Sequence, residues 1–167
     1  MSSRTKEVVT IGMSSAIIVA LQVALSPFPN IELVTTLFIF YSLTLPARTV
    51  VATASVFTTV QALVWGVGDW VIGYYWIWNL WVLLVVLLKP KIGRDYYKWA
   101  LLSGFWGLIF GALFALNHGI FYGFNFSIAY WLRGIPFDLV HSISNYLITL
   151  ITLPPLMRVA ETLRKEN

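Results

Sequence analysis

Asp138, His141 and Asn145 stand three and four positions apart, the spacing that stacks side chains along one face of a helix. A carboxylate, an imidazole and an amide on one stripe supply a proton acceptor, a group that titrates near neutrality, and a head that both donates and accepts hydrogen bonds. Such a set can do acid–base catalysis, hold a metal or orient a polar ligand. A metal is disfavoured by number: His118 is the only other imidazole, cysteine is absent, and no third donor lies near in sequence. Arg133 offers Asp138 a purely structural use, an ion pair capping a helix start, where an anion is favoured with or without a ligand.

Other polar residues fall in three short stretches: Asn30 and Glu32, then Asp69, then Asn117, His118, Asn125 and Arg133. Rings accompany them. Trp65, Trp70, Tyr74, Tyr75, Trp76, Trp78 and Trp81 crowd one segment, and Tyr122, Phe124, Phe126, Tyr130 and Trp131 another. Trp and Tyr also form interfacial belts in ordinary membrane proteins, so a single ring decides nothing. Clustered, they predict a site where a flat, weakly charged ligand stacks while amides and a carboxylate orient it. The candidate substrate-binding residues are Asn30, Glu32, Trp70, Trp76, Asn79, Tyr130, Arg133, Asp138, His141 and Asn145. Of these, Asn79, His141 and Asn145 project from spans rather than loops.

Membrane helices must position these groups. The chain is 59% hydrophobic and 11% charged, far from soluble averages. Apolar runs predict an all-α integral membrane protein, one domain over residues 1–167, with spans near 8–26, 33–45, 49–67, 74–88, 99–116 and 136–153. Pro27 closes the first, Pro46 ends the short second, Pro136 opens the sixth, and Pro154-Pro155 ends or kinks it. Residues 117–133, aromatic and half-hydrophobic, predict a long external loop or a short re-entrant helix. No cleavable signal is expected, since the first run lacks an A-x-A-like exit and further spans follow.

Charge sets the orientation. Six spans put both termini on one side, together with Arg4, Lys6, Arg48, Lys89, Lys91, Arg94, Lys98, Arg158, Arg164 and Lys165. Only Arg133 falls opposite, so the positive-inside rule predicts cytoplasmic termini and gathers the polar candidates outside. The net charge of +4 is therefore a topology signal rather than a mark of nucleic-acid binding. Two stripes of small residues predict close helix approach: Gly12, Ala16, Ala20 and Ala24 in the first span, and Gly104, Gly107 and Gly111 in the fifth. The alanine stripe serves either packing within the chain or docking onto a separate protein. No nucleotide-binding G-x-x-x-x-G-K-[ST] loop, H-E-x-x-H motif, G-x-S-x-G elbow, internal repeat or row of intramembrane carboxylates is present. A small binding protein served by an external motor fits these absences.

The combination of six spans, Ala16-x-x-x-Ala20-x-x-x-Ala24 and polar residues gathered at the outer loops resembles the substrate-binding S components of energy-coupling factor (ECF) transporters. Pro29-Asn30-Ile31-Glu32, and Gly134-Ile135-Pro136-Phe137-Asp138 followed by His141 and Asn145, also look like segments of vitamin-binding members in Gram-positive bacteria. The resemblance implies a multi-pass protein of the bacterial cell membrane that captures a B vitamin or precursor, itself neither an enzyme nor a cofactor carrier. Its partners would be a transmembrane scaffold subunit, met through Ala16, Ala20 and Ala24, and two ATP-binding subunits. The wealth of Trp favours a heteroaromatic such as pyridoxine, hydroxymethylpyrimidine or thiamine, with cobalamin an alternative. Metal-transporting relatives are expected to use an N-terminal histidine, absent here. Two rivals stand: a membrane enzyme on a lipid or isoprenoid using Asp138, His141 and Glu32 as acid–base groups, and a structural membrane subunit.

Overall fold

Helix ends in this chain are set by small turn residues and by hydrogen-bonding caps more than by where apolar content fades. The computed structural model describes residues 2–166 and is built of helices: α1 (Ser3–Leu25), α2 (Val34–Thr44), α3 (Ala47–Trp65), α4 (Asp69–Ile92), α5 (Tyr96–Tyr122) and α6 (Phe124–Lys165). Met1 and Asn167, the outermost residues of the domain expected from the sequence, lie outside the described residues. The α1 helix starts before its apolar run because the Ser2 hydroxyl accepts from the Thr5 backbone N–H, satisfying one of the free donors of the first turn. The expected basic loop over residues 89–98 shrinks to 93–95, since α4 continues through Pro90 with Lys89 and Lys91 in its last turn, where cations suit the negative helix end.

Five helices are long and apolar enough to cross a membrane, and α2 is not. At 1.5 Å per residue α2 is about 16 Å long against a hydrocarbon layer of about 30 Å. Six helices are present among the described residues, as the sequence predicts, five of them candidate spans and one, α2, a mostly buried helix of half that length. Eight of the 11 residues of α2 are buried, because it is wedged among α3, α4 and α6 and touches α1 and α5 as well. Charged side chains meet both of its ends. Glu32 accepts from the Thr35 backbone N–H at one end. At the other, the Lys89 ammonium donates to the Ser42 and Leu43 carbonyls at 3.1 and 2.9 Å.

Of the two forms expected for residues 117–133, the long external loop does not occur and the segment is helical on both sides of one turn. Gly123, with φ of +84°, turns the chain within one residue, and helix continues on both sides. The two arms are held by contacts that local polarity does not reveal: the Ser127 hydroxyl donates to the Ala115 carbonyl at 2.6 Å, and the His118 ring lies 4.5 Å from Tyr130. Below them the glycine stripe of α5 meets α6 backbone to backbone. A Cβ on Gly107 would stand 2.7 Å from the His141 carbonyl oxygen, and one on Gly111 would collide with the Asp138 carboxylate. The α6 helix runs for 42 residues with Pro136, Pro154 and Pro155 inside it, so Pro136 does not open the helix as expected, and of the two outcomes expected at Pro154-Pro155 an end to the helix does not occur.

Side-chain contacts fix the two ends of the bundle. Arg48 pairs with Glu7 and Arg94 with Glu161 at one end, the end that also holds Lys89, the start of α1 and the end of α6. The turn between α1 and α2 meets α6 at the other, where the Ser144 hydroxyl donates to the Asn30 carbonyl.

We expect Gly107→Ala to cost about 1–3 kcal/mol, because an added methyl must push apart two backbones. Gly12→Ala, with nothing within 4 Å of its Cβ, should leave the thermal midpoint of the detergent-solubilised protein unchanged or slightly raised. Equal midpoints for the two variants would contradict the close approach of α5 and α6.

Candidate functional site

Two adjoining cavities open at the end of the bundle opposite the basic one. The smaller, about 410 Å³, lies under the α1–α2 turn and is lined by that turn with Gln22, Gln61, Trp65, Trp78 and His141. The larger, about 660 Å³, is walled by the upper halves of α5 and α6, including Phe114, Phe126, Tyr130, Arg133, Phe137 and Asp138. Asn30, Trp70, Tyr74 and Phe110 line both. Their rings are continuous: Trp70 to Tyr74, Tyr74 to Trp78 and Trp78 to Phe110 have centroids 5.1, 5.9 and 5.4 Å apart. Asn30 has φ of +61°, a conformation asparagine tolerates better than most residues, and this turns the chain over the smaller cavity.

Glu32 and His141 form the floor of the smaller cavity. Glu32 accepts from both the backbone N–H and the hydroxyl of Thr35, and its Oε1 lies 3.3 Å from His141 Nε2. Burial pushes the Glu32 carboxyl up, but the hydrogen bond and charge of His141 and the two Thr35 bonds outweigh it and hold the group below its ordinary range. Asn145 lies one turn further along α6 and donates to the Thr35 hydroxyl at 3.2 Å, behind the floor rather than at the cavity surface.

The stripe of Asp138, His141 and Asn145 is therefore real: all three are buried on the face of α6 turned to α2 and α5. The expected Arg133–Asp138 ion pair is not among the pairs formed by the described residues. Five helical positions leave two side chains about 140° apart around the axis. Asp138 instead accepts from the Gly111 backbone N–H at 3.0 Å, and Arg133 is exposed on the cavity rim.

Seven of the ten candidates, Asn30, Glu32, Trp70, Tyr130, Arg133, Asp138 and His141, come together around the two cavities. Three do not. Trp76 donates to Asn117, which in turn donates to the Asp69 carbonyl beside the Asp69–His118 pair. Asn79 bonds the Tyr75 carbonyl on its own helix and reaches Ser55 of α3. Asn145 stands behind Thr35. The cavities also take in Gln22, Gln61 and Phe110, which the sequence expectation lacks, and Tyr74 and Trp78, which it places in the ring cluster but not among the ten candidates. The signal was available: each glutamine is an uncharged polar residue inside an apolar span, and Tyr74 and Trp78 share a helical face at a spacing of four.

Five buried polar atoms of cavity-lining residues have no hydrogen-bond partner: Gln22 Oε1, Gln61 Nε2, Trp78 Nε1, His141 Nδ1 and Asp138 Oδ2. Others lie elsewhere in the bundle, on Ser42, Thr58, Asn79, Trp106 and Asn145. Each unpaired group costs about 1–3 kcal/mol; four of the five belong to residues lining the smaller cavity and the fifth, on Asp138, to the larger. No cluster of three or more His, Cys, Asp or Glu able to hold a metal occurs among the described residues.

The alanine stripe turns away from all of this. Gly12, Ala16, Ala20 and Ala24 are exposed, while Ser14, Ser15 and Ile18 on the other side of α1 are buried, with the Ser15 hydroxyl donating to the Thr53 carbonyl. The stripe is therefore not buried by packing within the chain.

No family model, curated protein or solved structure matches the chain.

Because the folded-state value of Glu32 lies below its ordinary one, its stabilising contribution is present above pH 4.5 and lost as pH falls through the folded value. Thermal midpoints measured from neutral to acidic pH should therefore fall more steeply below about pH 4.5 in the wild type than in Glu32→Gln. Parallel pH profiles would remove Glu32 as the group responsible.

Proposed function

We propose that the chain is a solute-capture subunit of the bacterial cell membrane, working like an ECF S component. It holds a B vitamin or precursor with a small heteroaromatic ring and contributes no ATP hydrolysis of its own. The observation that carries this reading is the pair of aromatic cavities bordered by five unpartnered polar groups at the end of the bundle away from the basic residues. A flat ring gains stacking area from Trp70, Tyr74, Trp78 and Phe110, while Gln61, Gln22 and the free His141 nitrogen fix its in-plane orientation. Each cavity has the size of an ordinary small-molecule site, which favours a ligand of one or two rings over cobalamin.

In this reading the basic end faces the cytoplasm by the positive-inside rule, and the cavities face outward. Delivery would use the exposed face of Ala16, Ala20 and Ala24 as the contact for a transmembrane scaffold subunit served by two ATP-binding subunits. Small side chains let a partner helix come close in lipid, where no hydrophobic effect drives association. The α1 helix is suited to that contact, since only 17% of its most apolar window is buried.

The test is mass spectrometry of small molecules released from gently purified protein, followed by titration of its tryptophan fluorescence with each candidate vitamin. Saturable quenching by one compound at submicromolar concentration is expected, with none across the panel as the contrary result. In cells, Ala20→Trp should abolish uptake while leaving the affinity of the purified protein within about twofold, a change of under half a kcal/mol. Loss of both in well-folded protein would break the division between binding and docking.

A further inference from the structure

The ionisable groups at the cavity end can be paired off almost completely. Glu32 lies against His141 at 3.3 Å and Asp69 against His118 at 3.0 Å. Asp138 and Arg133 belong to neither pair, and both line the larger cavity. Their positions differ. Asp138 is 6% exposed and Arg133 stands at the open rim. A carboxylate withdrawn from water is costly unless a counter-charge or several hydrogen bonds compensate it. Asp138 has one such bond, from Gly111 to Oδ1, and its Oδ2 has none.

The surroundings of Asp138 are aromatic. Trp70, Tyr74, Phe110, Phe114, Phe126 and Tyr130 share the cavity with it. Ring faces carry negative quadrupole charge and attract cations, most strongly where water is excluded. Rings and a buried carboxylate act in the same direction. A neutral ring would gain the stacking and leave the carboxylate uncompensated, and an anion would be repelled by it.

We infer that the ligand of the larger cavity carries a positively charged group, a quaternary or protonated nitrogen, seated beside Asp138 within the box of rings. This rests on the solute-capture reading and narrows its substrate class. His141, one turn along α6, is engaged with Glu32 and forms no ion pair with Asp138 among the described residues. Arg133 at the rim meets an acceptor at the ligand's other end.

Calorimetric titration of the full-length protein in detergent tests the charge requirement with two probes of one shape: the N-methylnicotinamide cation and meta-toluamide, its uncharged isostere. The wild type should bind the cation about tenfold more tightly than the isostere. Asp138→Asn keeps an oxygen for the Gly111 N–H and removes the charge, so it should bring the two affinities together. Equal wild-type affinities for the two probes overturn the inference without reference to any variant, as does a preference that survives Asp138→Asn. If the cation fails to bind at millimolar concentration while a vitamin of the fluorescence panel binds, the cation site falls and the capture reading stands. If nothing binds, the capture reading falls first and takes this one with it.

Discussion

A helix of 11 residues with eight of them buried needs partners within the protein for its backbone ends, and this constraint organises the protein around α2. Its free N–H groups meet the Glu32 carboxylate and its free carbonyls meet the Lys89 ammonium. The signs match the helix dipole at each end. Either charge would be expensive alone in such a place, and each is compensated by backbone groups that would otherwise be unpaired. Around this axis the seam to α6 is closed by hydroxyls and an amide: Thr36 to Thr149 at 2.7 Å, Thr149 to Ser103 at 2.8 Å, and Asn145 to Thr35 at 3.2 Å. Packing supplies the remainder, with the Trp81 and Trp106 rings stacked 4.8 Å apart on the α4 and α5 sides.

The consequence for the cavities is a division of labour among residues that look alike in the sequence. Glu32, His141 and Asn145 are held by structural bonds and present the site with a fixed floor. The groups still available to a ligand are those the scaffold leaves unsatisfied, chiefly amides, ring N–H groups and one oxygen of Asp138. Residue type alone would have ranked these the other way, with the imidazole and Glu32 as the reactive pair.

What could be read from the sequence was periodic. The three-and-four spacing of Asp138, His141 and Asn145 fixed a shared face, and the spacing of Gly104, Gly107 and Gly111 fixed a close helix contact, because both depend only on 3.6 residues per turn. What could not be read depended on partners distant in sequence. The phase of α4 about its own axis decides that Trp78 faces a cavity while Trp76 and Asn79 face Asn117 and Ser55. The shortness of α2 was visible, and its enclosure was not. The α5–α6 arms looked like a loop because their helix is maintained by ring and hydroxyl contacts across Gly123 rather than by local propensity.

The length of α6 has a mechanical consequence. At 1.5 Å per residue its 42 residues make a rod of about 63 Å, twice the depth of a hydrocarbon layer. Each internal proline deletes one rung of the hydrogen-bond ladder, so bending compliance is concentrated near Pro136 and near Pro154-Pro155. The segment between them is bolted to α2 and α5 by His141, Asn145 and Thr149 and is the stiff part. The overhangs are the soft parts: one carries Tyr130 and Arg133 over the larger cavity, and the other carries Arg158 and Glu161 at the basic end. The wall of that cavity thus rides on the segment ahead of Pro136, and the floor on the stiff segment behind it.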